Sequence, residues 1–138
     1  MGVPLTVNIG KAQPGIYAAG NGQGIIIGFP GYQLIDAAHP ATAGDTAIIY
    51  CTGLGATSAA VATGQPAPFD QLAKAVVPVT VTVGGVNAAV SFAGLTPGSV
   101  GLYQVNIQIP AGVAAGAAVP VVITQGAIDS NQATIAVK

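Results

Sequence analysis

Few side chains in this sequence can perform acid–base, nucleophilic or metal chemistry. His39 is its one histidine. Asp36 stands three residues before it and Pro40 directly after it, so an imidazole and a carboxylate share one turn. A metal centre needs three or four ligands. With no second histidine and no paired cysteine to complete a set, His39 reads as a loop histidine hydrogen-bonded locally. A Ser-His-Asp hydrolase would want a Gly-x-Ser-x-Gly elbow, and none is present. Cys51, the single cysteine, offers neither an internal disulfide nor a Cys-x-x-Cys pair. It lies in the apolar run Ala47-Ile-Ile-Tyr-Cys51 and reads as a buried, inert thiol.

The four aspartates lack calcium-loop spacing, and Asp45 and Asp129 fall in turn contexts. Gly20-Asn-Gly-Gln-Gly24 resembles a phosphate loop in composition, but a phosphate loop opens a helix. Here the apolar run Ile25-Ile-Ile follows, so a hairpin-like turn is expected. Gly53-Leu-Gly-Ala-Thr-Ser lacks a Walker lysine. Tyr17, Tyr32, Tyr50 and Tyr103 are candidates for stacking on sugars, although such platforms favour Trp, which is absent. Tyr50 and Tyr103 lie on apolar strands and read as core or core-edge residues. The expectation is a protein with no catalytic residue, no metal and no cofactor.

Composition narrows the rest. The chain has 138 residues, enough for one domain, and 51% are hydrophobic. Only 5% are charged: Lys11, Lys74, Lys138, Asp36, Asp45, Asp70 and Asp129. A typical domain carries about 25%. Nucleic-acid binding needs clustered Lys and Arg, so it is excluded as the main activity. Disorder would need low hydrophobicity and high charge. Mean hydropathy is +0.68, yet Pro, Gly, Asn and Gln cut every apolar stretch short of the ~20 residues of a spanning helix. Ala111–Val119, bracketed by Pro110 and Pro120, reads as a loop. A membrane β-barrel is disfavoured by short strands. The first residues show no signal-peptide pattern, which fits an intracellular chain or a processed form.

With 20 Gly and 10 Pro, turn signals recur every eight to twelve residues, the rhythm of an all-β sandwich. Strands are expected at Val3–Asn8, Gly24–Phe29, Tyr32–Asp36, Thr46–Cys51, Val79–Val83, Val86–Phe92, Leu102–Ile109, Val119–Gln125 and Gln132–Val137. Gly84-Gly85 between two alternating runs predicts a tight hairpin. Residues 53–75 form a long connection, and such loops are often functional.

Several blocks follow one another in a recognisable order. They are Tyr50-Cys-Thr-Gly-Leu-Gly, Gly64-Gln-Pro-Ala-Pro, Val79-Thr-Val-Thr-Val-Gly-Gly-Val, Phe92-Ala-Gly-Leu-Thr-Pro-Gly and Val100-Gly-Leu-Tyr-Gln-Val-Asn-Ile-Gln-Ile-Pro-Ala-Gly. Together with Gln13-Pro-Gly-Ile-Tyr, they make residues 12–138 resemble an uncharacterised C-terminal β-sandwich domain of secreted, Solibacter-type acidobacterial proteins. The resemblance implies an immunoglobulin-like two-sheet sandwich of about eight or nine strands in an extracellular or cell-surface setting. It implies no chemistry. Residues 1–11 stand before it, as an N-terminal arm or a first strand.

Function then follows from what the surface lacks. A chain of this mass exposes roughly 6,400 Å² when folded, and seven charged side chains cover little of that. Sheet edges are normally protected by charge, especially Lys. Neutral polar faces are also cheap to desolvate. The expected function is a structural, self-assembling subunit of an extracellular filament or sheath, with other copies of itself as partner. The expected interface is Val3, Leu5, Val7 and Ile9 on the arm, with Gln104, Asn106 and Gln108 on one strand face. The alternative is an adhesion or carbohydrate-binding module with a glycan partner.

Overall fold

The computed structural model describes residues 14–20, 22–29, 31–55, 57, 74–99 and 102–138. Within them the chain is all-β and contains no helix. There are ten strands: β1 (Gly15–Ile16), β2 (Ile26–Phe29), β3 (Gln33–Leu34), β4 (Thr46–Thr52), β5 (Val79–Val83), β6 (Val86–Leu95), β7 (Tyr103–Gln108), β8 (Gly116–Gln125), β9 (Ile128–Asp129) and β10 (Ala133–Val137). They pair antiparallel in one curled sheet, ordered β10-β8-β5-β6-β7-β4-β2-β3. β1 joins the free half of one β4 edge, and β9 folds back on β8. The expected strand at 3–8 lies outside the described residues.

The Gly-Gly hairpin forms as the alternation predicts, with Val83 opposite Val86. Gly84 and Gly85 both take positive φ, 59° and 82°, as a two-residue turn of this hand requires. β6 then serves two partners. Its first residues pair with β5 and its remainder with β7. The register slips between Val90 and Phe92, a bulge that bends the strand and turns the sheet back on itself.

The concave side holds the core. Ile26, Ile49, Cys51, Val81, Val83, Val105, Ile107, Val121, Ile123 and Ile135 are buried there. These are alternate residues of their strands, the period-2 pattern of a sheet with one buried face. The far edge of β10 is also occupied. It runs parallel to two segments of the other end of the sheet: Gly24 N–H donates to Thr134 O, Thr134 N–H to Gly22 O, Ala41 N–H to Ala136 O and Lys138 N–H to Ala41 O, at 2.8–3.0 Å.

One local expectation needs correcting. Residues 111–119 are not all loop, because β8 begins at Gly116. Pro120 is tolerated inside β8 because of where its nitrogen points. Its carbonyl accepts from Gly84, so its missing N–H faces the β5–β6 turn, where β5 has already ended.

Candidate functional site

The Asp36–His39 pair forms a turn and little more. One Asp36 oxygen, Oδ1, accepts the N–H groups of Ala38 (3.0 Å) and His39 (2.9 Å) and lies 3.3 Å from His39 Nδ1. Both side chains are well exposed. Beside them is an open recess of about 430 Å³ whose walls include Gln33, His39, Asp45 and Lys138. Among the described residues no Ser, Thr or Cys lines it. Asp45 Oδ2 accepts from Thr42 N–H at 2.9 Å and thereby closes its own turn. Among the described residues no three His, Cys, Asp or Glu groups converge as a metal site.

Cys51 is fully buried in the core, and burial pushes its thiol up to about 12. A thiol in that state is neither a nucleophile nor a ready ligand at neutral pH. Tyr103, opposite it on β7, is also shifted upward, by burial first and by the nearby Cys51 second. Its hydroxyl donates to Gly55 O at 2.8 Å, tying β7 to the start of the long connection.

The outward face of the sheet is more informative. β4 turns Ala47, Ile49 and Cys51 inward, so Thr46, Ile48 and Tyr50 point out. Register then fixes two rows across the strands. One runs Gly94, Gln104, Tyr50; the other runs Phe92, Asn106, Ile48, Ile27, Leu34. Gln108 lies exposed at the Thr46 end. Gln104 Nε2 donates to Asn106 Oδ1 at 2.9 Å, which links the two amides along β7. Lys74, bridged to Gly94, marks the β6 margin. Lys74 thereby continues the first row and is exposed, while the other members of the two rows are uncharged. Ile48 is only 8% exposed although it is not part of the main core cluster, and its register neighbours are Ile27 and Asn106.

At one end of this face is a shallow, mostly apolar cleft of about 480 Å³, formed by Tyr17, Ile25, Tyr50, Thr96, Ser99 and Leu102. The backbone builds it: Tyr17 N–H donates to Tyr50 O, and Ile25 N–H to Tyr17 O. These bonds hold two segments against β4 where β1 and β2 meet. Tyr17 is 45% exposed in the cleft wall.

The sequence-derived interface therefore divides in two. Gln104, Asn106 and Gln108 share the outward face, as the alternation of β7 requires. Val3, Leu5, Val7 and Ile9 lie outside the described residues. The premise of bare edges also changes. β10 is bonded to Gly22, Gly24 and Ala41, and the edge of β1 is capped by Asn131, which accepts from Ile16 N–H (2.7 Å) and donates to Ile16 O (3.1 Å). Among the described residues, the outward face of β2, β4 and β7 is lined by uncharged side chains.

Reading the sequence missed two features. Tyr50 and Ile48 face outward, which the run Ala47-Ile-Ile-Tyr-Cys51 hides because it is apolar on both sides. Gln125, 2% exposed, clamps both ends of the long connection. The strand alternation Val119, Val121, Ile123, Gln125 is the signal that places it inward. Comparison of the chain with family models, with curated proteins and with solved structures returns no match.

Proposed function

We propose that the chain is a structural, self-assembling subunit of an extracellular filament or sheath, with copies of itself as partner and no catalytic role. The observation that carries this reading is the outward face of β2, β4 and β7, where Ile27, Ile48 and Tyr50 adjoin the neutral amides Gln104 and Asn106. Such a face loses little on desolvation and gains from apolar burial. The arm of Val3, Leu5, Val7 and Ile9 is the second contact in this reading, adding a strand to a neighbour in the β-augmentation mode. A contact of that kind joins unlike surfaces, so it extends rather than closes.

The same proposal takes the domain to be an immunoglobulin-like sandwich of the secreted acidobacterial type. Support comes from the motif blocks of residues 12–138 and from the way β6 divides the curled sheet into a β5-side half and a β7-side half. Electron microscopy and sedimentation of the purified full chain test the assembly. Filaments, lost on deletion of residues 1–11, are expected; a stable monomer at roughly 50 μM overturns it.

A second reading, an adhesion or carbohydrate-binding module, is favoured by the adjacent Tyr17 and Tyr50 in an apolar cleft. It expects polysaccharide binding that Tyr17→Ala abolishes. A glycan array without a hit removes it.

A further inference from the structure

Three exposed large apolar side chains gather at one end of the sheet, about Gln125. Val77 offers its carbonyl to Gln125 Nε2 at 2.9 Å, Val76 precedes it, and Ile128 stands opposite Gln125 across the β8–β9 turn. Val76 is 60% exposed, Val77 38% and Ile128 37%. Here β9 and β5 flank β8, since Thr124 pairs with Asp129 on one side and with Thr80 on the other. At the usual spacing of strands, three abreast make this end about 10 Å across.

The N-terminal segment leaves the fold at the same end. β1 is antiparallel to β4, with Gly15 opposite Thr52. The chain before Gly15 therefore heads the way β4 continues, towards Leu54, whose carbonyl is bonded to Gln125. The contacts with the last strands give the same direction. Ile16 meets Asn131, and Gly22 and Gly24 meet Thr134 further on. Moving back along the chain from Ile16 thus moves from Asn131 towards Ile128. Thirteen residues precede Pro14, and they hold the alternating apolar set Val3, Leu5, Val7 and Ile9. Ile128 is within about 10 Å of Asn131 by chain length, and Ile9 can reach about 17 Å from Pro14. The run from Val3 to Ile9 is about 23 Å long when extended, enough to cross the patch. Lys11 is the one charged side chain of that segment, and the exposed charge on β9 is Asp129.

We propose that the N-terminal arm docks on the end of its own sheet, with Val3, Leu5, Val7 and Ile9 lying over Val76, Val77 and Ile128 and with Lys11 beside Asp129. Tethering decides for the chain's own arm over a neighbour's. A link this short holds the arm at an effective concentration on the order of millimolar, far above that of free chains in dilute solution. Burial of aliphatic surface on both sides supplies the stabilisation, and the opposite charges of Lys11 and Asp129 favour the same placement. The inference goes beyond the filament reading, because it concerns the chain before another copy joins it. In that reading each subunit must release its arm from itself to give it to a neighbour, so the patch acts as a brake on assembly.

Thiol pairing and trypsin test it on the full chain. Because Cys51 is buried, introduced thiols react selectively under a mild oxidant such as copper–phenanthroline. Ile128→Cys is combined in turn with Val3→Cys, Leu5→Cys, Val7→Cys and Ile9→Cys. In dilute solution at least one of these double variants is expected to give a monomer closed by an internal disulfide. Asn87→Cys, at the opposite end of the sheet beside the Gly84-Gly85 turn, is expected to close with none of the four. Trypsin reads the arm without new thiols, because Lys11 is its one cutting site there. Ile128→Asp removes an apolar contact and is expected to speed cleavage after Lys11 roughly tenfold, with unchanged circular dichroism. No closure in any of the four, equal closure with Asn87→Cys, covalent dimers in place of closed monomers, or cleavage at Lys11 indifferent to Ile128→Asp each overturns the self-docking. Covalent dimers alone would leave the filament reading standing. Closed monomers from a chain that never forms filaments overturn only the filament reading.

Discussion

Gln125 and Leu54 are joined by a buried hydrogen bond 71 residues apart in sequence, Gln125 Nε2 donating to Leu54 O at 2.8 Å. The same nitrogen donates to Val77 O at 2.9 Å. One amide group thus fastens both ends of the long connection between β4 and β5.

Gln125→Leu keeps the volume but strands two carbonyls that have no other described donor. The Leu54 carbonyl is buried and the Val77 carbonyl only part-buried, while Gln125 Oε1, which already lacks a partner, is removed. At about 1–3 kcal/mol for a buried unsatisfied group, a net loss of roughly 1–2 kcal/mol is expected in urea unfolding. An unchanged midpoint would show that water reaches both carbonyls.

Asn131→Ala removes the amide that stands in for a neighbouring strand along Ile16. The expected cost is about 1–2 kcal/mol. Hydrogen exchange gives the sharper readout: the Ile16 amide should lose protection while those of β5 and β8 keep theirs.

Cys51 links stability to alkaline pH. Burial pushes its thiol up to about 12, well above the range of a thiol in water. The folded chain therefore holds its proton where the unfolded chain has lost it. The stabilisation is complete below pH 9 and declines as pH rises towards 12, by about 1 kcal/mol at pH 10. Tyr103 is shifted in the same direction and adds to the decline. Cys51→Ala should flatten the pH 8–10 stability profile. At pH 8 a thiol reagent should label Cys51 only after denaturant is added.

The Gly84-Gly85 turn separates two costs. Both positions need positive φ, but a Cβ at Gly84 would also lie 3.1 Å from Val113 and 3.2 Å from Val119, whereas Gly85 opens to solvent. Gly85→Ala is expected to lose about 1–2 kcal/mol, and Gly84→Ala more than that. Thermal melts of the two variants give the order directly; the reverse order would mean that Val113 moves aside without penalty.

Legibility followed the contrast between the two sides of each strand. Val79-Thr-Val-Thr-Val83 names its own buried side, and its Gly-Gly loop names the turn, so β5 and the first residues of β6 were predictable, while β6 runs on to Leu95, three residues past its expected end. In Thr46–Thr52 the contrast vanishes, because Ile48 and Ile49 are alike in character while the fold sends them to opposite sides. The outward apolar face was therefore hidden, although the amides of β7 that share it were plain. The bend of the sheet was hidden for another reason. It arises from one slipped register between Val90 and Phe92, and no residue type there announces a bulge. Pro120 misled in the opposite sense, since its fitness for β8 depends on where β5 stops.

The placement of β10 has a mechanical consequence. β8 grips it along one side in antiparallel fashion, and Gly22, Gly24 and Ala41 grip the other side in parallel. Tension applied along β10 would strain both rows of bonds together instead of peeling them one by one. Shear of that kind is the loading a hydrogen-bonded strand withstands best, so β10 would be among the last elements to yield under pull.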